Sequence, residues 1–137
     1  MSRQASCKER VQEHLNSRMA DLKALLDAEE RGEELEDLSP LNEYGLSFDY
    51  VEAGTFTDQK VGYFCYLIST GGPGEELRIY TDARLNPGRV EFWLLDWCDG
   101  ASLPLKGKHM ETFKRFWDWL GDTPAYLIEK SKSELCR

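Results

Sequence analysis

From residue 11 onward, apolar residues fall at helical spacing. Val11, Leu15, Met19, Leu22 and Leu26 stand at i, i+4, i+8, i+11 and i+15, a single stripe of an amphipathic helix. Ser6 and Glu9 precede it at capping-box spacing and Gly32 follows it, so the pattern predicts a helix of about 25 residues, close to 37 Å long. A helix of that length in a small domain is expected to project at one end or to meet a partner there. Ser39-Pro40 reads as an N-cap followed by proline at the first helical position, opening one short turn that ends at Gly45. Beyond it the period changes from helical to two. Leu46, Phe48 and Tyr50 alternate with Ser47 and Asp49 as a half-buried strand.

Residues 61–69 (VGYFCYLIS) and 89–97 (RVEFWLLDW) are apolar at both alternating sets of positions. A strand apolar on one set has a wet face, whereas one apolar on both is expected at the centre of a sheet and covered twice. Between them 75–82 (EELRIYTD) alternates, Leu77 and Ile79 against Arg78 and Tyr80. Gly71-Gly72-Pro73-Gly74 and Asn86-Pro87-Gly88 mark turns. Links this short require antiparallel pairing. After Asp99-Gly100, a turn signal, 101–107 reads as loop. Met110, Phe113, Phe116, Trp117 and Leu120 then define a helix face ended by Gly121, and Asp122-Thr123-Pro124 opens a last helix with Ala125, Ile128 and Leu135 inward. The expected fold is α+β: a four-stranded antiparallel meander with a long N-terminal helix and two C-terminal helices, in the order α-β-β-β-β-α-α. Cover for the far sheet face comes from helices on both sides or from a second copy in a homodimer.

The 137 residues suffice for one domain, 1–137, and 41% hydrophobic with 12% aromatic residues sustains a core without staples. No apolar run reaches the roughly 18 residues of a membrane span, and the first residues lack the apolar region of a signal peptide, so a soluble cytoplasmic protein is expected. Cys7, Cys65, Cys98 and Cys136 are scattered without C-x-x-C spacing, which predicts four free thiols. With only His14 and His109 besides, far apart, no metal and no cofactor is expected.

Charge adds a location. Of the net −8, residues 27–37 hold seven acids and one base, while residues 1–26 and 106–137 are mildly basic. Glu29, Glu30, Glu33, Glu34, Glu36 and Asp37 lie where the long helix ends, and acids there oppose the helix dipole. The plain reading of 28–39 is a solvated, mobile acidic loop; the functional one is a contact for a basic partner. Nucleic-acid binders show a basic stripe instead, so direct nucleic-acid binding is excluded.

Catalytic signatures are missing: no nucleophile elbow, P-loop, dinucleotide fingerprint or H-E-x-x-H is present. The Gly71–Gly74 cluster joins strands and opens no helix, so it forms no phosphate cradle. Asp96 and Asp99, with Asp58 or Asp82 brought near, are the one carboxylate set able to bind Mg²⁺ or work as an acid–base pair. Their structural reading is a turn at Asp99-Gly100 and an ion pair from Asp96 to an arginine such as Arg78. Cys98 between Trp97 and Asp99 has no base at a recognisable spacing, and acidic neighbours raise a thiol's pKa.

The middle of the chain, NEYGLSFDYVEAGTFTDQKVGYFCYLISTGGPGEELRIY followed by RVEFWLLDWCDGA, resembles uncharacterised small acidic proteins of bacterial plasmids, prophages and integrative elements. That resemblance brings no catalytic residue with it. It implies a mobile-element setting, in which small acidic proteins disarm host defence complexes of the restriction or CRISPR kind. Three functions follow as expectations. The first is an acidic inhibitor that acts by protein–protein contact with a basic nucleic-acid-processing complex, through Glu29, Glu30, Glu33, Glu34, Glu36, Asp37, Asp96 and Asp99. The second is an immunity-type protein masking a basic nuclease toxin, and the third, last in rank, is a metal-dependent enzyme using Asp96 and Asp99. The first two are not enzymes.

Overall fold

Alternation of side chains, run through five consecutive strands, places one set of apolar residues on a single face, and that face is the core. In the computed structural model, which describes residues 6–135, β1 (Ser47–Val51), β2 (Tyr63–Ser69), β3 (Gly74–Thr81), β4 (Pro87–Asp96) and β5 (Asp99–Pro104) form one antiparallel meander in the order β1-β2-β3-β4-β5. Leu77 pairs with Phe92 and Ile79 with Phe64 and Val90. All five are at most 1% exposed, and alternation carries their row on to Leu94.

The long helix α1 (Cys7–Arg31) covers this face as its spacing predicts. Val11, Leu15, Met19, Leu22 and Leu26 are all buried, joined by Cys7, Leu25 and Ala28. The Ser6 hydroxyl accepts from the Glu9 N–H at its start, and Gly32 closes it in the left-handed conformation at φ 67°. After the short turn α2 (Leu41–Tyr44), the C-terminal helices α3 (Gly107–Leu120) and α4 (Thr123–Leu135) complete the layer. Phe113, Phe116 and Trp117 of α3 are buried, and Trp117 meets Phe64 edge-on at 5.3 Å between centroids. Such aromatic pairs add to what burial alone supplies.

Several expectations need correction. The sheet has five strands, because Asp99-Gly100 begins β5 and 99–104 pairs along β4 through Trp93↔Ser102 and Leu95↔Gly100. The turn before β4 lies at 82–86, held by the Asp82 carboxylate, which accepts from the Arg84 and Asn86 N–H groups; Pro87 and Gly88 already belong to the strand. Pro40, not Ser39, is the N-cap of α2. Leu46 and Val61 lie outside their strands and are exposed, and Ala125 faces solvent while Leu127 and Ile128 pack on the core. Leu135 is an expectation that falls outside the described side chains.

Among the described residues, helices cover one sheet face only. On the other, the double apolar pattern of β2 and β4 is sheltered by its own neighbours: the Arg78 guanidinium lies 4.1 Å from the Trp93 ring centroid and 5.2 Å from that of Tyr63. Cys65, Leu67, Trp93 and Leu95 on this face are half-buried. A long, flat arginine between two rings shields apolar surface while keeping its charge near water.

Candidate functional site

The residues singled out from the sequence separate to the two ends of α1, about 37 Å apart at 1.5 Å per residue. At the C-terminal end, Glu29 and Glu30 occupy the last helical turn, and Glu33, Glu34, Glu36 and Asp37 follow on 32–39, all exposed. Leu35 and Leu38 within the same stretch pack against the core and tie it to the body of the protein. Some of the charge is engaged. Arg115 of α3 reaches Asp27 at 2.9 Å and Glu30 at 3.0 Å, Lys23 reaches Asp27 at 2.9 Å, and Arg31 reaches Glu33 at 3.1 Å. Glu29, Glu34, Glu36 and Asp37 have no ion pair among the described residues. Four carboxylates thus stand in solvent without compensation.

At the N-terminal end of α1, Asp96 and Asp99 face each other across the two-residue turn Trp97-Cys98. Both hold the helix in place. The Cys7 N–H donates to Asp99 Oδ2 at 2.8 Å, and Arg10 Nη2 donates to Asp96 Oδ2 at 2.7 Å. A carboxylate on an unpaired N–H of a helix's first turn satisfies an orphan donor and suits the positive end of the dipole. The Cys7 N–H accordingly holds the Asp99 carboxyl below its ordinary range, with the partial burial of the site opposing. The arginine partner of Asp96 is therefore Arg10; Arg78 is bound to Glu76. Asp82 sits at the other end of β3 and β4, and Asp58 in the β1–β2 loop at that same far end, so the structure does not gather these acids around Asp96. Among the described residues no group of three or more His, Cys, Asp or Glu side chains is placed to hold a metal ion.

Cys7, Cys65 and Cys98 are free thiols, and Cys136 lies outside the described residues. Cys98 is exposed at the turn. Neither histidine serves it, since His14 lies 3.0 Å from Glu75 and His109 3.1 Å from Asn16. Burial, reinforced by Glu76, pushes the Cys65 thiol up to about 12.

Two acids escaped the sequence reading. Glu75 is 4% exposed, and its carboxylate accepts from Arg18 Nη2 at 2.7 Å and Ser69 Oγ at 2.8 Å, with His14 Nδ1 at 3.0 Å. The network continues from Arg18 to the Tyr44 hydroxyl, which donates to Asp21 at 2.6 Å. Burial works against the Glu75 charge, but Arg18, His14 and Ser69 together hold its carboxyl below the ordinary value. Glu76, 9% exposed on the opposite face, accepts through Oε2 from Arg78 Nε at 2.8 Å and from the Cys65 thiol at 3.2 Å. The signal for Glu75 was present: the alternation that sends Leu77 and Ile79 inward sends Glu75 with them, and a buried acid demands a cation.

A wide concavity lies on the helix-free face, where the β2–β3 loop and the β4–β5 turn rise on either side. Its volume is about 870 Å³, and Leu67, Glu76, Leu95 and Trp97 line it together with Gly74 and Gly100. The registers Gly74↔Leu95 and Leu95↔Gly100 show how it arises. One row across three strands carries a side chain at its centre only, so the sheet surface dips. A Cβ placed on Gly100 would stand 3.0 Å from Leu95 Cδ2.

Comparison with protein-family models, with characterised proteins and with solved structures finds no match.

Proposed function

We propose that the protein works by binding: its acidic end docks on a basic protein surface of the kind that handles nucleic acid, and blocks it. The observation that carries this reading is the set Glu29, Glu34, Glu36 and Asp37, exposed and without ion pairs among the described residues, on a stretch that Leu35 and Leu38 anchor to the core. Anchored, uncompensated carboxylates present a fixed negative surface, and fixed charge steers association with a positive channel better than a freely moving tail. The same field repels nucleic acid itself. Among the described residues no helix is long and apolar enough to cross a membrane. The resemblance to mobile-element proteins supplies the class of partner, a restriction or CRISPR complex. A nuclease toxin masked in the immunity manner would present the same electrostatics.

Affinity capture from bacterial lysate treated with nuclease, followed by competition with duplex DNA and with RNA, tests the reading. The captured partner should release this protein to nucleic acid. The variant E29Q/E34Q/E36Q/D37N should fold normally, since exposed charges contribute little to stability. Its association rate should fall at least tenfold at low salt and lose its salt dependence, because screening acts over about 10 Å at 0.1 M. Binding that is unchanged in this variant at every salt concentration would sink the proposal.

A further inference from the structure

The concavity on the helix-free face joins three features that the fold itself does not need. Trp97 is 91% exposed, touches no other aromatic ring among the described residues, and holds a left-handed backbone at φ 49°. A bulky residue in that conformation, at the tip of a two-residue turn, is where stability alone would select glycine. Glu76 is nine-tenths buried with Oε2 engaged, while Oε1 has no hydrogen bond among the described residues. Between them Gly74 and Gly100 carry no side chain, and Leu95 alone rises from that row, its Cδ2 lying over Gly100.

The molecule already shows what such a combination holds. The Arg78 guanidinium carbon lies over the Trp93 ring, 4.1 Å from its centroid, and its Nε donates to Glu76 Oε2. A guanidinium is suited to this because it stacks on an aromatic face and forks to a carboxylate at once. We propose that the trough repeats the arrangement for an incoming chain. It accepts an arginine side chain of the partner protein, with Trp97 against the guanidinium and Glu76 Oε1 receiving its N–H groups. The occupant is set by charge complementarity: a recess lined by Glu76 with its unused oxygen, by Asp96 and Asp99, and by the apolar Leu67, Leu95 and Trp97 selects a cation with an apolar stem. This inference rests on the reading that the partner is basic, and it deepens that reading with a second contact at the opposite end of α1 from the acidic run.

The test uses the full-length ¹⁵N-labelled protein and a blocked Gly-Arg-Gly tripeptide, with the neutral citrulline tripeptide as its control. The arginine peptide should shift the Gly74, Glu76 and Gly100 amides and the Trp97 indole N–H, saturating at millimolar concentration. The citrulline peptide should bind at least tenfold more weakly. Trp97→Gly should remove the shifts at the amides, and E76Q should weaken them about tenfold. If E76Q disturbs the sheet by freeing Arg78, Trp97→Gly decides alone. Equal binding of citrulline would make the trough an apolar recess only. Shifts that ignore Trp97→Gly, or changes at the trough that grow with protein concentration without peptide, would each overturn the proposal, the latter by naming a second copy as occupant. In E29Q/E34Q/E36Q/D37N the trough shifts should persist. That variant separates failure of the acidic end from failure of the trough.

Discussion

Glu75 concentrates the chemistry of the helix-bearing face in one carboxylate. Arg18, His14 and Ser69 converge on it from α1 and β2, so it ties the long helix to the middle of the sheet by charge as well as by packing. Its folded-state pKa lies below the ordinary 4.5. A depressed carboxyl contributes stability that is present above its unfolded value and is lost as pH falls through the folded one. Glu75→Gln should therefore cost about 2–3 kcal/mol near pH 7, less than the roughly 3–5 kcal/mol for breaking a fully buried pair, because Arg18 keeps partial access to water. The gap to the unaltered protein should begin to narrow as pH drops below 4.5, where the unfolded chain takes up the proton, and should close once pH passes the lower folded-state value. Urea unfolding at pH 7 and pH 3 checks both statements, and a constant gap would mean that Gln costs shape, not charge. The cysteines divide by the same logic of environment. Burial raises the Cys7 and Cys65 thiols, whereas Cys98 stands in solvent. Iodoacetamide on the native protein should label Cys98 within minutes and leave Cys7 and Cys65 untouched until denaturant is added, as peptide mapping would read.

Among the elements, the β4–β5 hairpin carries the most unexpected design. Its two strands are joined by Trp97-Cys98, and neither residue is a turn former. Left-handed backbone costs an L-residue about 1–2 kcal/mol, while glycine gives back about 0.5–1 through its freer unfolded chain. With the ring 91% exposed, little burial is lost on its removal. Trp97→Gly should thus leave the protein as stable as before or raise stability by up to about 1 kcal/mol, measured as a urea midpoint. A loss of more than that would make the ring structural and weaken its reading as a contact residue. This hairpin also marks where the sequence stopped being legible. The α1 stripe, its Ser6 and Gly32 caps and the α3 face could be read because helical signals lie within a few neighbouring residues. The strands β1 to β4 could be read because their alternation is strong, and their short links dictated the meander. In 99–104, Asp-Gly-Ala-Ser-Leu-Pro has no strand propensity; it becomes β5 by pairing with β4, a long-range choice that no local pattern announces. Single-sided cover was hidden likewise, because Trp93 and Leu95 read as core until Arg78 is seen lying across Trp93. At the candidate site, the acids of the run were legible and the trough was not, since it consists of side chains that are missing from one row of a register.

At the scale of the whole molecule, α1 is a strut pinned at both ends. The β4–β5 hairpin grips its start through Asp96 and Asp99, and Arg115 of α3 grips its finish through Asp27 and Glu30. The acidic run and the trough therefore sit at fixed positions relative to each other, one at each end of a rigid rod. If both are contacts, as proposed, two contacts held at a set separation act on a partner as a pair, so weakening either one should be felt in dissociation, with the charged run dominating the approach. The pinning has another side. The hydrogen bond from Cys7 to Asp99 spans 92 positions of the chain, and Arg115 is further along still. At roughly 5–20 residues per second of synthesis, the helix is made on the order of five to twenty seconds before the residues that hold it. Through that interval the stripe from Val11 to Leu26 has no sheet to rest on. The order of helix before sheet thus makes this a late folder, whose long helix is the segment in most need of a chaperone's shelter.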